Sequence, residues 1–232
     1  SILTQYPFVL SFFVGLVPAL IWLFFWLKED KHPEPAKNLA LSFLGGMLAV
    51  VCVLPVQMLV YDYFVYNETL SFTLWAALEE IFKFVLVYYI VLKRKVTDEP
   101  VDEIIYMIVG ALGFVTLENS LFLLEPIQNG DIVGTIINAN LRFLGASLVH
   151  IMCSATIGVC MALAFYKSKL RKLEYTIFGI ILAVILHTGF NLFIINQVDG
   201  NIFFIFGMVW FCIVVLLLLF EKVKNITNNY ER

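Results

Sequence analysis

Polar residues break this chain at fairly regular intervals and leave seven apolar segments between them, each near the roughly 20 residues that a helix needs to cross a bilayer. They fall at Phe8–Leu27, Leu39–Val60, Phe72–Leu92, Ile104–Leu124, Leu141–Tyr166, Tyr175–Ile195 and Ile202–Phe220. The pattern predicts an all-α, polytopic membrane protein, a bundle of about seven transmembrane helices forming a single integral-membrane domain over residues 1–232. The third segment departs from it: Glu79, Glu80 and Lys83 stand near the middle of an otherwise apolar run. On the lenient insertion scale each such charge costs about 2.5–3.5 kcal/mol at the bilayer centre, so the trio unpaired would cost roughly 8–10 kcal/mol. An ion pair to Lys83, three or four residues on, accounts for only one of the glutamates. Intramembrane ionisable residues are functional by default.

Composition agrees with the segmentation. Of 232 residues 61% are hydrophobic and 14% charged, and the mean hydropathy is +0.91; a soluble domain is excluded. Charge then sets the orientation. All but two of the 15 Lys and Arg residues lie in alternate connections, at Lys28, Lys31 and Lys37, at Lys93–Lys95, at Lys167–Lys172, and at Lys222, Lys224 and Arg232. The intervening loops (Tyr61–Ser71, Glu125–Asn140, Asn196–Asn201) hold none, and the two exceptions, Lys83 and Arg142, fall inside segments. By the positive-inside rule the N-terminus lies outside and the C-terminus in the cytoplasm. The first segment has no basic region before it and reads as a retained helix, not a signal peptide. With a net charge of −3 and no extended basic patch, nucleic-acid binding has no support.

Further polar residues recur inside the segments. The second holds Pro55 and Gln57, a kink or a polar spot on a cavity wall. The fourth holds Gly110 and Gly113, which permit close helix approach, then Glu118 and Asn119. The fifth holds Arg142, His150, Ser154 and Gly158, and the sixth holds His187 and Asn191, four apart on one face. Pro33 and Pro35 predict a stiff connector ahead of the second helix, with His32 a solvated loop residue. The cysteines Cys52, Cys153, Cys160 and Cys212 lack CxxC spacing and read as small buried hydrophobes. At 1.5 Å per residue, Glu79, Glu118, His150 and His187 lie roughly 9–14 Å below the outer ends of their segments. Four helices thus offer acids and imidazoles at one level, which predicts one polar site.

Such a cluster suits three functions: peptide-bond hydrolysis, proton or ion transport, or a non-catalytic binding or immunity protein whose polar residues fix the fold. Transport folds usually carry paired repeats, and none is visible here. At this point the residues carry a resemblance. EExxK at Glu79–Lys83, FxxxE at Phe114–Glu118, His150, and HxxxN at His187–Asn191, in that order on successive segments, resemble the PrsW intramembrane proteases, distant relatives of the Abi group and the CAAX prenyl endopeptidases. DKHPEP after the first segment and DEPVDEIIYMIVGALGFVTLEN add to the likeness, with Glu103 standing where the family pattern suggests glycine.

The resemblance implies a bacterial plasma-membrane enzyme that makes the site-1 cut in a single-pass anti-sigma factor, on its extracytoplasmic side, during envelope-stress signalling. It implies Glu79, Glu80, Glu118, His150 and His187 as catalytic residues. Our expectation of roles has Glu79 or Glu80 as the base that activates water, Lys83 pairing the other, the histidines positioning water or polarising the carbonyl, Asn191 as an oxyanion donor, and Asn119 in support. His150, His187 and Glu118 form an acceptable zinc set. Neither histidine lies in HExxH spacing, so a metal-free glutamate mechanism is preferred. Oligomeric state is not legible.

Overall fold

The computed structural model describes residues 6–28, 32–64, 66–195 and 202–226; Asp30, Lys31, the 196–201 connection and Arg232, on which parts of the reading above rest, lie outside the described residues. Among the described residues every regular element is helical. Helix α1 is Pro7–Leu27, α2 is Ala36–Phe64, and α3 is Glu68–Val87, prolonged by a π-helical turn at Tyr88–Leu92. α4 is Pro100–Gln128, α5 is Ile132–Leu141, and a second π-helical turn, Arg142–Ala146, joins α5 to α6 at Ser147–Leu163. α7 is Lys169–Ile195 and α8 is Ile202–Val223. With α5 and α6 taken as one rod, six of these are long and apolar enough to cross a membrane. The seventh predicted span, α3, is set apart by the three charges at its centre.

The helices overrun several predicted ends. The connection expected at Glu125–Asn140 is mostly helix, reduced to a turn of Asn129, Gly130 and Asp131 in which Gly130 takes a φ of 70°. Glu125 and Gln128 are polar but good helix formers, so hydropathy loses a helix that hydrogen bonding continues. The Asp131 side chain then caps α5, accepting from the Gly134 amide at 2.8 Å. Likewise α3 starts at Glu68, where the Asn67 side chain accepts from the Leu70 amide at 3.0 Å. Pro35 is followed directly by the start of α2. Glu103 falls in the first turn of α4, a helix opened by Pro100 at its first position and a reciprocal Glu99–Asp102 capping box.

Two helices form the centre. From Val101 to Thr116 every residue of α4 is buried, as is nearly every residue of α6 from Ser147 to Ala162. Apart from Asp102, Glu103 and Tyr106 near the start of α4 and His150 on α6, both stretches are apolar or small around the circumference, which suits a helix wrapped by others. α1 and α2 pack on α4, and α7 and α8 on α6. Small residues bring α2 and α4 into backbone contact: a Cβ on Gly46 would overlap the Gly110 carbonyl oxygen, and one on Gly113 would overlap the Phe43 carbonyl oxygen. Lipid offers no hydrophobic drive between helices, so this close packing supplies the association. The Ser42 hydroxyl adds a hydrogen bond to the Tyr106 carbonyl at 2.7 Å.

Candidate active site

Towards the lysine-poor end of the bundle a cavity opens between α2 and α4, and Glu79 at the charged centre of α3 borders it. Because Glu79 and Glu80 are about 100° apart around the helix, they meet different neighbours. Glu80 is fully buried. Its Oε1 accepts from the Lys83 ammonium at 2.5 Å and lies 2.8 Å from His187 Nδ1. Lys83 is equally buried, and its Nζ is also 2.9 Å from His150 Nδ1 and lies over the Phe114 ring. So one carboxylate, one ammonium and two imidazoles from α3, α6 and α7 form a closed polar core. Pairing of this kind offsets the insertion cost of the trio.

Glu79 is held differently. The Gln57 side-chain amide donates to its Oε1 at 2.7 Å, while its Oε2 has no hydrogen-bond partner and faces His187 Nε2 at 3.6 Å. Gln57 in turn is positioned on α2 beside Trp75, whose indole N–H donates to the Gln57 carbonyl at 3.1 Å. The two imidazoles are perpendicular, with centroids 4.9 Å apart. Across from them Glu118 Oε2 accepts from the Arg142 guanidinium at 2.5 Å and lies 3.2 Å from His150 Nε2. Arg142 also donates to Asn119 Oδ1, and Asn119 donates to the Ser147 hydroxyl at 3.3 Å.

The predicted residues therefore converge. Glu79, Glu80, Glu118, His150 and His187 form one connected cluster, with Lys83 on Glu80 and not on Glu79. A cavity of about 210 Å³ touches Glu79, Glu118, Arg142, His150, His187 and Asn191; Asn191 thus reaches the site as a wall residue. A larger and mostly apolar cavity, about 390 Å³, lies between α2 and α4 and shares Trp75, Glu79, Glu118 and Phe122 with the first. Several of the helices that carry the cluster run past the predicted span ends. Glu79 is about 16 Å from the start of α3 at 1.5 Å per residue.

Two residues matter more than the sequence indicated. Arg142 carries no function in the hydropathy reading beyond being a charge inside a segment, yet its pairing with both Glu118 and Asn119 closes one wall of the site. Gln57, noted as a polar spot, is the hydrogen-bond partner of Glu79. A charge or amide inside an apolar run was the available signal for each. Cys153, read as a packing residue, has its Sγ within 4.8 Å of donor atoms on Glu80 and His187.

The donor set can be tested against a metal ion. One atom each of Glu79, His150 and His187 lie within 4.8 Å of one another. The carboxylate completing this triad is Glu79, whereas the expected third donor, Glu118, is engaged by Arg142. The unpartnered Glu79 Oε2 and His187 Nε2 are free donors, Glu80 on His187 Nδ1 supplies the outer carboxylate that metal-binding histidines commonly have, and His150 Nε2 would exchange its contact with Glu118 for an ion. The residues fit.

The model of the PrsW family, described as intramembrane metalloproteases, matches residues 34–219. The chain is 25% identical to Protease PrsW of Clostridioides difficile (strain 630), across 95% of this chain and 93% of that protein. It is 34% identical to Protease PrsW of Geobacillus kaustophilus (strain HTA426), over 69% of this chain and 68% of that protein. With Protease PrsW of Bacillus subtilis (strain 168) it shares 28% identity, over 82% and 84% of the two chains. No solved structure matches.

Proposed function

The chain belongs to the PrsW family of intramembrane proteases, a multi-pass membrane protein of bacteria, and from that premise we propose that it makes the site-1 cut in a single-pass anti-sigma factor, on the extracytoplasmic side, during envelope-stress signalling. The observation that carries this reading is the unequal treatment of the paired glutamates. Glu80 is fully buried, its Oε1 is taken by Lys83 and His187, and it borders neither cavity, while Glu79 borders both and keeps an unpartnered Oε2 there.

In this mechanism Glu79 is the base. Gln57 fixes one of its oxygens and the other takes a proton from a water held between it and the imidazoles. The water oxygen adds to the scissile carbonyl carbon, and negative charge develops on the carbonyl oxygen. Arg142 and Asn191, both on the wall of the same cavity, are the donors available to that oxygen. Collapse breaks the C–N bond as Glu79 returns its proton to the leaving amine, giving an amine and a carboxylic acid that then loses its proton to water. Glu80 and Lys83 act through His187 and His150, holding the two rings perpendicular and their edges towards the cavity. Asn119 positions Arg142.

The family description implies a metal. Glu79, His150 and His187 would hold it, a His₂Glu set that leaves a position open, and when bound it would supply Lewis-acid polarisation of water and carbonyl. The proton-accepting role then passes to Glu118, the carboxylate beside His150 on the same wall.

Reconstituted protein with a single-pass anti-sigma factor as substrate tests the reading. Wild type is expected to cut and Glu79→Gln to be inactive. Metal content of the purified protein and activity after chelation separate the two chemistries, since Glu118→Gln abolishes cutting when a metal is present and only weakens it when Glu79 is the base. Cutting by Glu79→Gln at the wild-type rate, or a wild-type protein that carries protons and cuts nothing, would sink the proposal.

A further inference from the structure

The larger cavity has no role in the chemistry above. α2 and α4 are in backbone contact at Gly46 and Gly110, and Val50, Val53 and Phe114 fill the next layer. Beyond that layer the helices enclose about 390 Å³, lined by Leu54, Met58, Tyr61 and Leu121 among others, and reaching Glu79 and Glu118 at its deep end. Its rim faces lipid: Met58 is 69% exposed and Leu54 40%. The volume lies in the range of small-ligand pockets, which are apolar with a few convergent polar groups.

Resting on the protease reading, we infer that this α2–α4 cleft is the specificity subsite of the enzyme: it admits the substrate segment sideways from the bilayer and seats one large apolar side chain next to the scissile bond. Continuity argues for that occupant. Trp75, Glu79, Glu118 and Phe122 border both cavities, so a side chain lodged in the apolar one places the adjoining peptide group at the free oxygen of Glu79. A peptide at this depth must leave its helix to be attacked, and the exposed carbonyls and amides need partners. Gln57 on the wall of the apolar cavity and Arg142 on the wall of the polar one, either side of the junction, lie where that unwound stretch would pass. Leu54 and Leu121, outside the catalytic cluster, set the width.

The test uses the full chain reconstituted in liposomes, with a detergent extract of bacterial inner-membrane proteins as the probe, and sequencing of new N-termini. Termini made by wild type and absent with Glu79→Gln define the cuts. Wild-type cuts are expected to carry Leu, Phe or Met on one fixed side of the bond. Leu54→Trp, which fills the cleft, should lower the ratio of such cuts to those beside Ala, Gly or Ser by roughly tenfold or more, and Leu54→Ala should extend the preference to Trp. Cuts with no apolar preference, or the same ratio in both variants, overturn the inference. So does native mass spectrometry that finds a phospholipid in wild type, lost in Leu54→Trp, with cut preference unchanged. If Leu54→Trp cuts nothing, the Leu54→Ala profile decides. Absence of any Glu79-dependent terminus overturns the protease reading instead.

Discussion

The same two helices, α2 and α4, behave in opposite ways at their two ends. At the lysine-rich end glycines bring the backbones together, Ser42 ties them with a hydrogen bond, and α4 is buried on all sides. At the lysine-poor end a cavity opens between them and joins a second one, walled by α3, α4, α6 and α7, on which the ionisable cluster lies. Side-chain size along one helix pair thus separates cohesion from chemistry. Polar clusters and open volume both reduce packing, and a protein that concentrates them in one half can still be held together by the other.

The contrast can be broken by substitution. The largest effect is expected in the open half: Glu79→Gln should lower the rate of cutting about 10³-fold with the unfolding midpoint unchanged. A large fall in that midpoint would mean that Glu79 holds the fold together. In the closed half, Gly46→Leu forces the helices apart and should cost about 3 kcal/mol, read as a midpoint lower by on the order of 5–10 °C in thermal unfolding of the detergent-solubilised protein. Gln57→Leu sits at the boundary. It removes the donor to Glu79 and should cut kcat about tenfold, with KM nearly constant, as expected for loss of a positioning hydrogen bond. The smallest effect belongs to Ser42→Ala, about 1 kcal/mol of stability with normal turnover. If Ser42→Ala slowed cutting more than Gln57→Leu, the division between the halves would fail.

Much of this was legible before any coordinates. Membrane length and the alternation of basic residues located the long apolar helices, though not α5, which falls in a stretch read as loop, because a bilayer leaves so few ways to satisfy a backbone. Helix ends were harder. Polar but helix-favouring residues such as Glu125 and Gln128 look like loop to a hydropathy scale and are helix in the molecule. Within the site, the types of residue announced themselves, since an acid or imidazole in lipid needs a reason. Their partners did not. That Lys83 takes Glu80 and leaves Glu79 to Gln57 depends on which way each helix is rotated, and Arg142 reaches Glu118 across a turn that hydropathy reads as featureless. Rotation and reach are set by packing between helices distant in sequence, as at Gly46 and Gly110.

The π-helical turn at Arg142–Ala146 has an angular consequence. Such a turn accommodates one residue more than an α-helical turn, so everything after it is advanced by about 100° around the rod. In a continuous α-helix from Ile132 onward, the azimuth now held by His150 would go to its neighbour in sequence, and the imidazole would swing out of line with Glu118. Deleting Leu144 would remove the extra residue and the bulge together, so that regular winding would leave the histidine near its present azimuth; straightening the turn with all its residues kept would point it elsewhere. The bulge is the phase adjuster between the protruding helix α5 and the histidine-bearing helix α6.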